Sequence, residues 1–178
     1  MKNEKFEIVG TQSNIDWVGK KVTGAHNGTI AIKKGELLLN DGKIIGGKII
    51  VDTTSVKILD ITDPATNAQF AGHLASDDFF SSEKYPEAVL EIASVSGNQV
   101  DGKLTIKGIT HPVGFDAVVK TNGDLLTATG KLVIDRTKYE MKFRSGNFFQ
   151  NLGDTLIYDH FELDVTVTAK TANQAVLA

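Results

Sequence analysis

The chain has 178 residues, 41% of them hydrophobic, and its 19 basic and 22 acidic side chains give a formal charge of −3. That length and apolar content suit a single domain over residues 1–178 with a sizeable core, and the scattered charges supply no basic run to hold a nucleic-acid backbone. The absence of cysteine excludes disulfides, thiolate metal sites and cysteine nucleophiles, and no stretch approaches the roughly 18 apolar residues of a membrane-spanning helix.

The N-terminal MKNEKFEIVG lacks the apolar stretch of an export signal. Residues 14–22 (NIDWVGKKV), 28–42 (GTIAIKKGELLLNDG) and 43–59 (KIIGGKIIVDTTSVKIL) are rich in Ile, Val and Thr and read as three or four strands. Asp41-Gly42 and Gly46-Gly47 mark their turns or bulges. From Pro64 to Tyr85-Pro86 the texture changes, with Ala, Gln, Leu and Phe at roughly helical spacing. One or two short helical turns are expected here, with Ser76 or Asp77 capping a turn that carries Phe79 and Phe80 as a plug for one end of the fold.

Four long alternating runs follow between Val89 and Arg136. They place Leu90 and Ile92, Leu104 and Ile106, Phe115, Ala117 and Val119, and Leu132 and Ile134 at every second position, with Glu91, Lys103, Lys107, Asp116 and Lys131 between them. Residues two apart in a strand share a face. Turns are expected at Gly97-Asn98, at the Thr110-His111-Pro112 step and at Asn122-Gly123, giving an antiparallel meander. Strands of about ten residues exceed the usual sandwich strand and suit an up-and-down barrel, of which about eight strands enclose room for one small ligand. Gly102, Gly108 and Gly130 share the register of the apolar residues and fit a curved inner wall, or simple barrel corners.

Residues 137–160 combine Tyr139, Phe143, Phe148 and Phe149 with Gly146 and Gly153 and read as an ordered loop, with a helical turn around 148–152. A last strand sets Phe161, Leu163, Val165 and Val167 against Glu162, Asp164, Thr166 and Thr168, and the tail TANQAVLA is expected to fray.

Catalytic and cofactor signatures are missing. His26, His73, His111 and His160 form no HxH or HExxH pair, and no GxSxG elbow, phosphate loop or GxGxxG is present, so no metal, cofactor or catalytic residue is assigned. Arg136 ends an apolar strand beside Asp135, which fits a rim salt bridge or a polar group meeting a ligand head at a pocket mouth.

Two long motifs carry a specific resemblance. GHLASDDFFSSEKYPEA (residues 72–88) and DGKLTIKGITHPV (101–113), with IDWVGKKVTGAHNGTI (15–30) and IDRTKYEMKFRSGNFFQNLGD (134–154), resemble the YceI-like family of polyisoprenoid-binding proteins over nearly the whole chain. Ala71-Gly72 stands where the family usually has Arg-Asp before His-Leu. The resemblance implies an eight-stranded antiparallel, lipocalin-like barrel that is not an enzyme. It would bind the tail of an isoprenoid lipid such as a quinone or polyprenol and act as carrier or reservoir. It also implies a bacterial, periplasmic protein that pairs into a homodimer, although the N-terminus as written keeps a cytoplasmic location open.

On alternation and resemblance together, the expected ligand-binding residues are Trp17, Phe79, Phe80, Leu90, Ile92, Leu104, Ile106, Phe115, Val119, Leu132, Ile134, Arg136, Phe161, Leu163 and Val165. Two rivals stand beside the carrier. One is a protein-interaction barrel filled by its own side chains; the other is a hydrolase or isomerase whose mouth brings a carboxylate to His73 or His160.

Overall fold

A computed structural model describes residues 3–21, 24–41, 43–76, 79–139, 141 and 157–171. The strands are β1 (Asn3–Ile8), β2 (Asn14–Lys21), β3 (Gly24–Asn40), β4 (Lys43–Ile58), β5 (Glu87–Ser96), β6 (Gln99–Ile106), β7 (Ile109–Asn122), β8 (Leu125–Asp135) and β9 (Ile157–Thr171). One α-helix, α1 (Pro64–Ala75), lies between β4 and β5, and single 3-10 turns occupy Gly10–Gln12 and Arg136–Tyr139.

The sheet closes on itself. Strands β3 to β9 pair as successive antiparallel neighbours where they are described, and both β1 and β2 bridge β3 to β9. β1 covers the end of β3 at residues 36–40 while β2 covers residues 24–30, so the two form a single stave interrupted by the Gly10–Gln12 turn. The result is an eight-stranded antiparallel barrel with one helix, the class expected from the meander. Among the described residues the ladder between β7 and β8 runs only from Ala117–Asn122 to Leu125–Gly130, and that between β4 and β5 only over Gly47–Asp52.

Alternation decides which residues fill the interior. Leu90, Leu104, Ile106, Leu132, Ile134 and Val167 are all buried, while Glu91, Lys103, Lys131 and Asp164 between them are exposed. The core also takes in Phe6, Ile32, Leu37 and Leu39 from β1 and β3.

Two local expectations are corrected. The β6–β7 turn is Lys107-Gly108, not the Thr110–Pro112 step: Ile106 pairs with Ile109, both turn residues have positive φ, and Thr110 to Pro112 lie within β7 opposite β6. Gly108 is therefore a turn residue rather than part of the curved wall, as befits the type of hairpin in which both central residues are left-handed. The β7–β8 turn likewise falls one residue later, at Gly123-Asp124, because Asn122 already pairs with Leu125. The helix is also longer than one or two turns, at 12 residues. Asp63 caps it by accepting a hydrogen bond from the Thr66 N–H, and Pro64 starts it where a missing N–H costs nothing. The expected turn near 148–152, the Asp77 cap and the tail from residue 172 lie outside the described residues. None of the described helices is long and apolar enough to cross a membrane.

Candidate functional site

The barrel interior holds two apolar cavities that share no lining residue among those described. The larger, of about 610 Å³, lies under α1, and the smaller, of about 60 Å³, reaches the β5–β6 turn at Gly97 and Asn98. β5 runs from one to the other: Ala88 lines the larger cavity, and Leu90, Ile92 and Val95 line the smaller.

Thirteen of the fifteen residues expected from sequence come from the strands or from Arg136 just after β8, and two come from the segment after α1. Trp17, Leu104, Ile106, Phe161 and Leu163 line the larger cavity, together with Phe79, Phe80 and Arg136. Leu90, Ile92, Phe115, Val119, Leu132 and Val165 line the smaller one. Ile134 lines neither. It lies at 3% exposure between Leu132, which faces the small cavity, and Arg136, which faces the large one, on the same side of its strand. Ile32 holds the matching place on β3, between Ile30 at the large cavity and Leu37 at the small one. Both side chains are buried in the core without lining either cavity.

The lid is built from α1 and the turn that follows it. No residue of α1 is buried, yet Thr66, Phe70, His73 and Leu74 face the larger cavity. The carbonyls of Leu74, Ala75 and Ser76 at the helix end accept from the N–H groups of Phe80, Ser82 and Ser81, at 3.0, 2.9 and 2.8 Å. Bonding of these terminal carbonyls folds the chain back and sets Phe79 and Phe80 against the cavity. Ser76 is thus the C-cap of α1 and organises the aromatic pair through its carbonyl. The buried Ser82 hydroxyl then donates to the Thr53 carbonyl at 3.0 Å, and the buried Thr53 hydroxyl donates to the Tyr85 carbonyl at 2.7 Å, which pins the turn to β4. On the other side Asn67 donates to the carbonyls of Ile58 and Ile61.

Polar groups gather at the lidded end. His26 Nδ1 lies 2.8 Å from Asp60 Oδ2, and Asp60 Oδ1 accepts from the Asn27 N–H, joining β3 to the segment that leads into α1. Burial acts to raise the Asp60 pKa, but the hydrogen bonds from His26 and Asn27 and the charge of His26 together hold it below its ordinary value. Arg136, 3% exposed, donates from Nη1 to the Met141 carbonyl, and its guanidinium carbon lies 5.7 Å from the centre of the Phe79 ring. Burial pushes its pKa down, opposed by the charges of Asp159 and Asp135. Arg136 therefore lines the larger cavity and feels the charges of two nearby carboxylates. His111 is elsewhere: its Nε2 meets the Lys138 carbonyl at 2.9 Å, and its ring stands edge-on to Tyr139.

Sequence reasoning missed the cationic part of the mouth. Lys20, Lys21 and His26 line the larger cavity with His73 and His160. The β2–β9 register shifts between Gly19 and Lys21. The extra residues lie on β9, between Ile157 and Phe161, while Gly19, Lys20 and Lys21 stay in register with His26, Ala25 and Gly24 of β3; both lysines line the cavity at the C-terminal end of β2. Among the described residues, no group of three or more His, Asp or Glu is placed to hold a metal ion.

The YceI-like domain model matches residues 6–169. The chain belongs to the YceI-like family. Among solved structures, this YceI-like barrel is similar to a polyisoprenoid binding domain from Saccharophagus degradans, with a TM-score of 0.68 and 13% identity, over 93% of this chain and 98% of that one. It is also similar to Burkholderia cenocepacia BcnA, at a TM-score of 0.68 and 22% identity, over 92% and 99% of the two chains. At these identities the likeness concerns the fold. In sequence, a UPF0312 protein of Staphylococcus aureus is 41% identical over 78 residues, covering 40% of this chain and 46% of that protein. One from Staphylococcus epidermidis is 35% identical over 105 residues, covering 53% and 61%. The matched region thus spans about half the length of these relatives.

Proposed function

We propose that this YceI-like barrel binds a long-chain isoprenoid lipid, of quinone or polyprenol type, in its apolar interior and serves as a carrier or reservoir without catalysing a reaction. The observation that carries this reading is the cavity of about 610 Å³ beneath α1, walled by Trp17, Leu104, Ile106, Phe161 and Leu163. Its volume lies within the usual range for small-molecule sites. Each methylene withdrawn from water into such a space contributes about 0.8 kcal/mol, so an apolar tail needs no charged partner inside. The solved polyisoprenoid binding domain of the same fold supports the choice of tail chemistry.

The filled-barrel rival needs side chains meeting across the axis. That description suits only the far end, where about 60 Å³ is left open. A periplasmic location and pairing into a homodimer are part of the proposal as properties expected of the family.

Transfer between vesicles tests the carrier role. Donor vesicles holding a labelled polyprenol or long-chain quinone, mixed with unlabelled acceptors, should exchange label faster with the protein than without it. An Ala88→Phe variant, which puts a ring into the large cavity, should lose most of that acceleration. Equal exchange with wild type, the variant and no protein would remove the carrier reading.

A further inference from the structure

We infer that the lidded end of the barrel docks on an anionic lipid bilayer, with Leu59 and the outer face of α1 against the membrane, so that cargo passes between bilayer and cavity there; the cargo clause rests on the isoprenoid-binding reading above. The lid helix is unusual in its charge. None of the 12 residues of α1 is buried, yet none is Asp, Glu, Lys or Arg, although 23% of the chain is charged and a surface helix ordinarily turns charge to the water. Thr66, Phe70, His73 and Leu74 face the cavity, and the exposed side carries Ala65, Ala68, Gln69, Gly72 and Ala75. The barrel wall has the opposite habit, exposing Glu91, Lys103, Lys131 and Asp164.

Apolar and cationic groups flank this helix. Leu59, just before it, is 60% exposed, and its N–H donates to the Asn27 carbonyl at 2.9 Å, so the side chain projects from fixed backbone. Tyr85, beyond the lid turn, is 39% exposed beside the Gly108 turn, a ring type that settles at head-group level. Lys20 and Lys57 are exposed at the same end, and Lys21 lines the mouth. Among the described residues, no carboxylate lies within ion-pair distance of these three lysines. The neighbouring acids are engaged: Asp60 with His26 and the Asn27 N–H, Asp63 with Thr66, and Glu87 with Lys33. A bilayer fits this chemistry. An uncharged face loses water without stripping a charge, a projecting leucine enters the acyl boundary, and lysines meet anionic head groups. The large cavity lies directly beneath, and the ligand proposed for it resides in membranes.

Flotation with vesicles free of isoprenoid tests the docking alone. The protein should co-float with phosphatidylcholine vesicles containing phosphatidylglycerol, and several-fold less with phosphatidylcholine alone, the difference narrowing in high salt. Leu59→Glu/Gly72→Glu should weaken binding to the anionic vesicles roughly tenfold. Neither residue lines a cavity, and a Cβ on Gly72 meets nothing within 4 Å, so the barrel should stay folded. Ile45→Glu, at a side chain 51% exposed on the β3–β4 hairpin at the opposite end, should float as wild type does. Trp17, the chain's single tryptophan, lines the cavity, and its emission should show unchanged uptake of geranylgeraniol by the lid variant. Wild type that fails to float, floats equally with neutral vesicles, or loses as much through Ile45→Glu as through the lid variant would overturn the inference. If geranylgeraniol still binds in that case, the carrier reading stands. Flotation as expected without any binding of geranylgeraniol would instead remove the carrier reading and the cargo clause, leaving a membrane-docking surface.

Discussion

Trp17 and Gly28 face each other across the β2–β3 ladder so closely that a Cβ on Gly28 would fall 2.6 Å from the indole Cζ2 and 1.7 Å from the Lys57 carbonyl oxygen. The glycine therefore fixes where the cavity's tryptophan lies, and the indole Nε1 completes the arrangement by donating to the Thr29 carbonyl at 3.3 Å. Gly28→Ala should lower stability by about 1–3 kcal/mol through overpacking, and it should shift the Trp17 emission maximum by moving the ring. Urea unfolding together with an emission spectrum checks both. An unchanged spectrum at unchanged stability would mean that the contact does not hold the ring.

Arg136 connects the barrel to its lid through the Phe79 ring and also donates to the Met141 carbonyl just after β8. Arg136→Leu should cost about 2–4 kcal/mol, because it leaves a buried carbonyl without its donor and nearby carboxylates without their cation. Arg136→Lys should recover only part of that loss, since an ammonium cannot spread over the ring or reach in a planar fork. Denaturant melts of the two variants against wild type measure the difference.

Ile134 is buried on β8, across the ladder from Phe161 of the large cavity and two residues from Leu132 of the small one. Ile134→Ala should lower stability by about 2–4 kcal/mol, the usual cost of a truncated core side chain. It should also open a way from the 610 Å³ space towards the 60 Å³ space. Relative affinity should move in favour of longer isoprenoid tails, read from competition between polyprenols of different length. The same length preference in variant and wild type would place the divide elsewhere, at Ile32 or its neighbours.

The Asp60–His26 pair gives a pH dependence with a definite sign. The folded-state pKa of Asp60 is depressed, so the stabilisation is fully present above the ordinary aspartate pKa of about 4 and fades as the pH falls through the lower folded value. Wild type should therefore exceed Asp60→Asn in stability near neutral pH, and the gap should close under strong acid. Asp63, which caps α1, has a pKa lowered by its hydrogen bonds from the Thr66 hydroxyl and N–H and follows the same sign. Amide exchange in the first turn of α1 should accelerate over the same acid range.

The barrel was legible where one face is apolar and the other charged. Through most of β5 to β8 and in β9, side chains such as Leu104 and Lys103 alternate, broken in β5 by the register shift after Ile92, and a two-residue period admits only one reading of which residues share a face. β1 was not recognised, because its six residues carry only Phe6 and Ile8 as buried anchors and the 3-10 turn breaks its continuity with β2. The length of α1 was hidden because none of its residues is buried, so no helical apolar stripe was needed to place it. Lys20 and Lys21 escaped notice at the mouth since strict alternation would send one of them outward, whereas both line the cavity at the end of β2. The convergence of His26, His73 and His160 on one cavity is a property of closure and leaves no mark in their spacing.

The central claim is that the space beneath α1 is filled by an isoprenoid lipid, and the most direct test is to identify what the native protein carries. Purified without detergent, extracted with organic solvent and analysed by mass spectrometry, the protein should release one isoprenoid lipid in near-stoichiometric amount. An extract empty of lipid, from protein that also takes up no added quinone, polyprenol or prenyl phosphate, would contradict the account.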